Sequence, residues 1–270
     1  MTLAVVAISP FAASCGEDGS SSGTRTTGSS RAAKEPDASH LQLVALGDSE
    51  TTGSGDSAGL GWVERYARLL RTKRDLKVDV SNLARNGTKS AELLSSLRGD
   101  ANTRGEVKRA QVVLLGIGGA DIEDADANTE AGRCRVQTCY AAMLKSFASN
   151  SDAIVAEVRK LRGSNKTVVR AITHPNVLTG AEDVSPPFLR PVATRIGVYE
   201  ASTATRAICD TMTKYDGRCV DLLRAINGPN GRADGYKKGL LNHEECCYPS
   251  AKGQQLMAEL LFKTRLAPVR

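Results

Sequence analysis

Five short apolar runs, separated by stretches with helical spacing, constrain the fold more than any other feature of this chain. Leu41 to Leu46, Val78 to Leu83, Val112 to Ile117, Val168 to Ile172 and Cys219 to Leu222 each read as a strand buried on both faces. Between them, Trp62, Tyr66, Leu69 and Leu70 share one helical face. Met143, Phe147, Ile154, Val158 and Leu161 form a second helical pattern, and Ile196, Tyr199 and Ile208 a third. A final helix begins near Pro249 and carries Leu256, Met257, Leu260 and Leu261. Strands alternating with helices predict a parallel sheet covered on both sides, a three-layer α/β/α sandwich. Ligands bind beyond the carboxyl ends of such strands, so chemistry is expected after Leu46, Leu83, Ile117 and Ile172.

The layered domain is expected over residues 41–270. Ahead of it, Thr2 to Ser14 is apolar and small, without an acidic residue, and ends Phe11-Ala12-Ala13-Ser14-Cys15. Residues 1–15 resemble a bacterial lipoprotein signal, which implies acylation of Cys15; a plain secretory signal cut near Ala13 is the alternative. Residues 16–40 are rich in Gly, Ser and Thr and poor in large apolar side chains, the composition of a flexible tether. These readings predict export, either to the outer face of the membrane as an envelope lipoprotein or into the medium. No apolar run approaches the ~18 to 20 residues of a bilayer-spanning helix, so membrane contact is expected only through the N-terminal lipid. The net charge of +6 is spread along the chain and aromatic residues make up only 4%, which argues against a nucleic-acid groove. A monomer is expected.

Seven cysteines agree with an oxidising compartment. Giving Cys15 to a lipid leaves an even set as disulfide candidates. Cys134 with Cys139 and Cys209 with Cys219 are near in sequence; Cys246 and Cys247 pair either with each other or over a longer range. A metal site from His243, Cys246 and Cys247 is the rival reading, and no metal is the expectation.

The first strand runs directly into Gly47-Asp48-Ser49, where a serine can expose its hydroxyl and offer its own N–H to a developing oxyanion. Gly55-Asp56-Ser57-Ala58-Gly59 also fits a G-x-S-x-G elbow, but no strand precedes it, so Ser49 is preferred over Ser57. Asn86-Gly87 follows the second strand, Gly118-Gly119-Ala120-Asp121 the third, and Tyr248-Pro249-Ser250 opens the last helix. In order and spacing these segments resemble the SGNH, or GDSL-type, esterase and lipase family over residues 41 to 265. The resemblance implies a flavodoxin-like sheet and a serine hydrolase that needs no cofactor. Ser49 would attack an ester carbonyl, with the N–H groups of Ser49 and Gly87 in the oxyanion hole.

Two positions depart from that pattern. Ala120 stands where the family carries an oxyanion Asn, and Tyr248 stands where it carries the catalytic His, in Glu245-Cys246-Cys247-Tyr248-Pro249-Ser250 against the usual D-x-x-H-P-S. A methyl group cannot donate, and a phenol with reference pKa ~10 is a poor base near neutral pH. Of three histidines, His40 falls at the tether junction and His174 after the fourth strand, where a hydrogen-bonded loop histidine is expected. His243 lies in the loop that should deliver the base, with Glu244 and Glu245 beside it, and is the expected substitute base with Glu245 as its carboxylate. Asp48, Asn86 and Asp121 read as structural. The functional expectation is a carboxylic ester hydrolase acting through Ser49 on a small ester or an acylated lipid or glycan. The alternative is a catalytically impaired relative that binds such a ligand at the envelope.

Overall fold

The computed structural model describes residues 40–181, 185, 187–244 and 247–266. The expected lipidation of Cys15, the signal over residues 1–15 and nearly all of the tether lie outside the described residues. So do Glu245 and Cys246.

The main sheet contains β1 (His40–Gly47), β2 (Lys77–Asn82), β3 (Val112–Gly116), β4 (Val168–Ile172) and β5 (Arg218–Val220), all parallel, in the order β2-β1-β3-β4-β5. A separate antiparallel pair joins β6 (Leu241–Asn242) to β7 (Tyr248–Pro249). In chain order the helices are α1 (Ser49–Thr52), α2 (Gly61–Arg74), α3 (Ser90–Gly99), α4 (Ala101–Arg109), α5 (Gly119–Glu130), α6 (Val136–Arg162), α7 (Ala193–Lys214), α8 (Leu222–Asn227) and α9 (Ala251–Lys263). The expected α/β/α sandwich and its flavodoxin-like strand order are therefore what the chain forms.

Strand alternation builds the layers. Leu41, Leu43 and Ala45 pack with Trp62, Tyr66 and Leu70 of α2 and with Met257 and Leu261 of α9. Val44 and Leu46 point the other way, into a cluster with Leu97, Val107, Phe147, Val158 and Ile208 from α3, α4, α6 and α7. Each such side chain, fully removed from water, contributes about 1.5 to 3 kcal/mol of burial free energy. The expectation that all five strands are buried on both faces holds for β3 and β4. It fails for β2 and β5, which keep exposed and half-buried residues because they are the sheet's edges. His40, assigned to the tether junction, instead begins β1 and bonds Asp79 of β2 at 2.7 Å.

The pairs Cys134–Cys139 and Cys209–Cys219 are formed as expected, the second tying α7 to β5. Cys247 is also disulfide-bonded, so it has no thiolate for the rival metal site. No helix among the described residues is long and apolar enough to cross a membrane.

Candidate active site

With β1 central and its neighbours entered from opposite directions, the strand order reverses between β1 and β3, and a crevice opens beyond their carboxyl ends. Asp48 closes the bottom of it. It is fully buried and caps α1 by accepting from the Glu50 N–H at 3.1 Å, while its other oxygen accepts from the N–H groups of Gly118 and Gly119, both at 2.8 Å. Burial raises its pKa to about 6, against the lowering pull of His174 and of the two glycine amides, with Glu50 adding to the rise. Asp48 is thus a clamp between two loops, as its structural reading expects.

The clamp sets Ser49 as the first residue of α1, only 6% exposed and on the wall of a cavity of about 200 Å³. The indole of Trp62 donates to the Glu50 carbonyl at 3.1 Å and supports the same turn from below. At hydrogen-bond distance from Ser49 Oγ is Tyr248, whose hydroxyl donates to it at 3.2 Å. Gly55 makes room for that tyrosine: its φ is +81°, and a Cβ there would lie 2.5 Å from the Tyr248 Cβ. The G-x-S-x-G stretch serves this packing. Its Asp56 is buried against Arg65 and the Gly61 amide, and Ser57 is exposed.

His174 also lines the cavity, 5% exposed, but both ring nitrogens are engaged. Nε2 donates to the Ile117 carbonyl at 2.8 Å and Nδ1 faces Glu50 Oε2 at 3.3 Å. A carbonyl can only accept, so Nε2 carries a proton, and the carboxylate favours a second proton on Nδ1. Burial would push this imidazole down, but the bond to Glu50 and the charges of Glu50, Asp48 and Glu200 raise it to about 10. An imidazolium held on both sides has no capacity to take the Ser49 proton. Gly118, at φ +135°, seats it: a Cβ at this position would lie 2.7 Å from His174 Nε2 and 2.8 Å from the Phe147 ring.

The expected substitute base is elsewhere. His243 is exposed, its ring edge-on to Tyr236 at 5.4 Å, and it is not among the cavity residues. The β6–β7 pairing explains this: it turns Tyr248 inward and leaves residue 243 on the outer turn. Gly87 sits in an exposed turn after β2, at φ +74°, and is likewise absent from the cavity lining. That turn is fastened to α1 through Thr52, whose hydroxyl donates to Asn86 Oδ1 at 2.8 Å. Ala120 is buried in the first turn of α5, and Asp121 accepts from Ser90 N–H and Oγ at 2.9 and 2.7 Å, fixing the start of α3.

The sequence reading missed the acidic lining: Glu50, Glu123 and Asp126 of α5, and Glu200 of α7. Tyr140 of α6 donates a short hydrogen bond to Asp126, whose carboxyl is raised by burial. A signal for Glu200 was present, since it falls at i+4 from Ile196 and at i−4 from Ala204 in the buried stripe of α7.

The model of the GDSL-like Lipase/Acylhydrolase family matches residues 45–256. The chain belongs to the GDSL-like lipase/acylhydrolase family. Among curated proteins, this GDSL chain is 29% identical over 160 residues to the uncharacterized protein YpmR of Bacillus subtilis (strain 168), covering 59% of this chain and 62% of that relative's length. Among solved structures, its fold is similar to the lipase Lip_vut3 from a goat rumen metagenome, with TM-score 0.70 and 20% identity, covering 85% of this chain and all of that one. It is similar also to Axe2, an acetylxylan esterase from Geobacillus stearothermophilus, with TM-score 0.55 and 17% identity over 85% of this chain and 97% of that one. A lipase/acylhydrolase from Enterococcus faecalis aligns with TM-score 0.55 and 18% identity, covering 82% and 93%. These GDSL-type neighbours share the α/β/α sandwich.

Proposed function

We propose that this GDSL-family chain binds a carboxylic ester or acylated ligand at Ser49 and holds it without completing acyl transfer at the rate of a serine-histidine pair. The observation that carries the reading is the 3.2 Å contact in which the Tyr248 hydroxyl donates to Ser49 Oγ. A nucleophilic serine needs a neighbour that accepts its proton, and a phenol that donates to it does the reverse. Both imidazoles that could substitute are engaged elsewhere, His174 with Glu50 and Ile117, and His243 at the surface with Tyr236. Loss of a triad base can lower turnover by about 10⁶, and an absent oxyanion donor at Ala120 removes a further ~10² to 10³.

The second reading is a serine esterase acting through Ser49. It is favoured by the Ser49 side chain on the cavity wall at the start of α1, and would use the amides of Ser49 and Gly87 as oxyanion donors with His243 and Glu245 as base and carboxylate. The two are separated by assaying the full chain on p-nitrophenyl acetate and butyrate beside Ser49→Ala, with thermal unfolding followed in each ester. Binding without turnover predicts stabilisation by the ester and equal hydrolysis rates in both proteins. Hydrolysis that is rapid and abolished by Ser49→Ala establishes the esterase instead.

We place the protein at the cell envelope, anchored through a lipid on Cys15 or released by cleavage near Ala13, as a monomer with no nucleic-acid partner. Support comes from the Cys134–Cys139 and Cys209–Cys219 disulfides, since such bonds persist in oxidising compartments. Palmitate labelling of the full chain, lost in Cys15→Ala, tests the anchor, and sedimentation tests the monomer.

A further inference from the structure

The Ser49 cavity is lined by a carboxyl group that has one oxygen without a hydrogen-bond partner. Glu200, from the middle of α7, is 4% exposed and lines the cavity. One of its two carboxyl oxygens, Oε1, is buried with no hydrogen-bond partner. Such groups are rare in folded proteins, because stripping a carboxyl of water without replacing its hydrogen bonds costs about 1 to 3 kcal/mol or more.

The surrounding charge states what the missing partner is. Glu50 from α1, Glu123 and Asp126 from α5, and the clamp Asp48 all face the same space. Against these, the one cation among the described lining residues is His174, and that imidazolium is already held by Glu50. Among the described residues no Lys or Arg lines the cavity. An anionic ligand would meet like charge on several sides, whereas a cation with N–H groups would satisfy Glu200 and relieve repulsion among its neighbours. Ile122, Val177 and Leu178 supply apolar wall for a short carbon chain beside it.

We infer that the ligand of this cavity carries a protonated primary amine whose N–H groups donate to the Glu200 carboxylate. The inference rests on the reading that Ser49 faces the ligand site, and adds the chemical class of the group bound beside it.

Burial raises the Glu200 carboxyl to about 7, with His174 pulling it down and Asp126 and Glu50 adding to the rise. The titratable groups lining the same cavity are His174 from the loop after β4, Glu123 and Asp126 from α5, Tyr140 from α6, Asp48 and Glu50 at the start of α1, and Tyr248 of β7. Below that value the carboxyl is protonated and attracts a cation weakly. An alkylammonium stays charged through pH 9, so its affinity rises with pH up to and through 7.

The test is calorimetry and thermal unfolding of the full chain with n-butylammonium, butyltrimethylammonium, butanol and butyrate, each at pH 6 and pH 8, with p-nitrophenyl butyrate run in parallel. Expected are binding of butylammonium, tighter at pH 8 than at pH 6, and binding of the trimethylammonium analogue weaker by about 10-fold, since it has no N–H to donate. No binding of butyrate is expected. Glu200→Gln keeps the shape of the side chain and should lose about 10-fold or more in butylammonium affinity together with its pH dependence. Stabilisation of Glu200→Gln by butanol equal to that of the parent shows the cavity intact. Equal binding of butanol and butylammonium, no butylammonium binding, or unchanged affinity in Glu200→Gln each overturns the inference. Butylammonium binding without any response to the ester leaves the amine site standing and removes the ester reading; the reverse pattern removes the amine and keeps the ester.

Discussion

The two loops that meet at Ser49 are built to different standards. On the β1–β3 side, Asp48 accepts from three backbone amides, its own N–H donates to the Gly116 carbonyl at 3.1 Å, and the Thr51 hydroxyl donates to the same carbonyl at 2.7 Å. The result is a fully buried turn that presents one hydroxyl. On the β6–β7 side, a pair of two-residue strands is held on α9 by Ser250, whose hydroxyl caps the helix through the Gly253 N–H and donates to the Gly239 carbonyl. Tyr248 is only half-buried and His243 exposed. The seat of Ser49 is thus locked by the sheet itself, while position 248 hangs from a short hairpin whose Leu241 and Pro249 are buried but whose turn at His243 is exposed.

The contrast can be broken most forcefully by restoring the weaker side. Tyr248→His combined with Ala120→Asn should raise p-nitrophenyl butyrate turnover by about 10² or more, because a base and an oxyanion donor return to an intact nucleophile. No increase in steady-state rate means that the hairpin does not deliver position 248 as a base, and that the two sides differ in placement as well as in residue type.

Damage to the locked side should appear as lost stability. Gly118→Ala drives a Cβ into His174 and Phe147 at a positive φ, and a loss of about 2 to 4 kcal/mol in urea unfolding is expected. An unfolding midpoint unchanged from the parent would show that this turn is softer than its hydrogen bonds imply.

The pH dependence sharpens the same point. His174 has its folded pKa raised from 6.5 to about 10, so its contribution is fully present below 6.5 and is lost as pH rises through 10. Thermal unfolding should therefore move to lower temperature between about pH 7 and pH 10, by an amount on the order of a few kcal/mol, and His174→Gln should flatten that slope. An alkaline slope identical in both proteins would assign it to other groups. The smallest effect is expected at His243→Ala, within about 0.5 kcal/mol in stability and with no change in ester binding. A large loss of ester hydrolysis in that variant would instead bring His243 into the reaction.

The features of the site that were legible beforehand are local ones. Ser49 could be found because a strand run ends directly on a Gly-Asp-Ser turn, and Ser57 set aside because no strand precedes it. The positions of Ala120 and Tyr248 could be read from their place in ordered motifs. Of the helices between β2 and β4, α4 buries only Thr103 and Val107 and α5 only Ala120 and Ala125, leaving little periodic signal, whereas α3 buries Ser90, Leu93, Leu94 and Leu97 at helical spacing, a signal that was present and went unread. His243 was chosen for nearness in sequence to position 248, a criterion that ignores which way a hairpin turns its residues.

By itself, the amino-acid order determined the layered sheet and the residue at the end of its first strand, because alternating burial and strand-to-turn geometry are properties of neighbouring residues. Only the tertiary structure decided which histidine is buried as a cation, which hydroxyl touches Ser49, and that Glu50, Asp126 and Glu200 face one cavity. Glu50 and Glu200 lie 150 positions apart and Ser49 and Tyr248 lie 199 apart, on separate elements, and they meet in a space that exists only after the helices close around it.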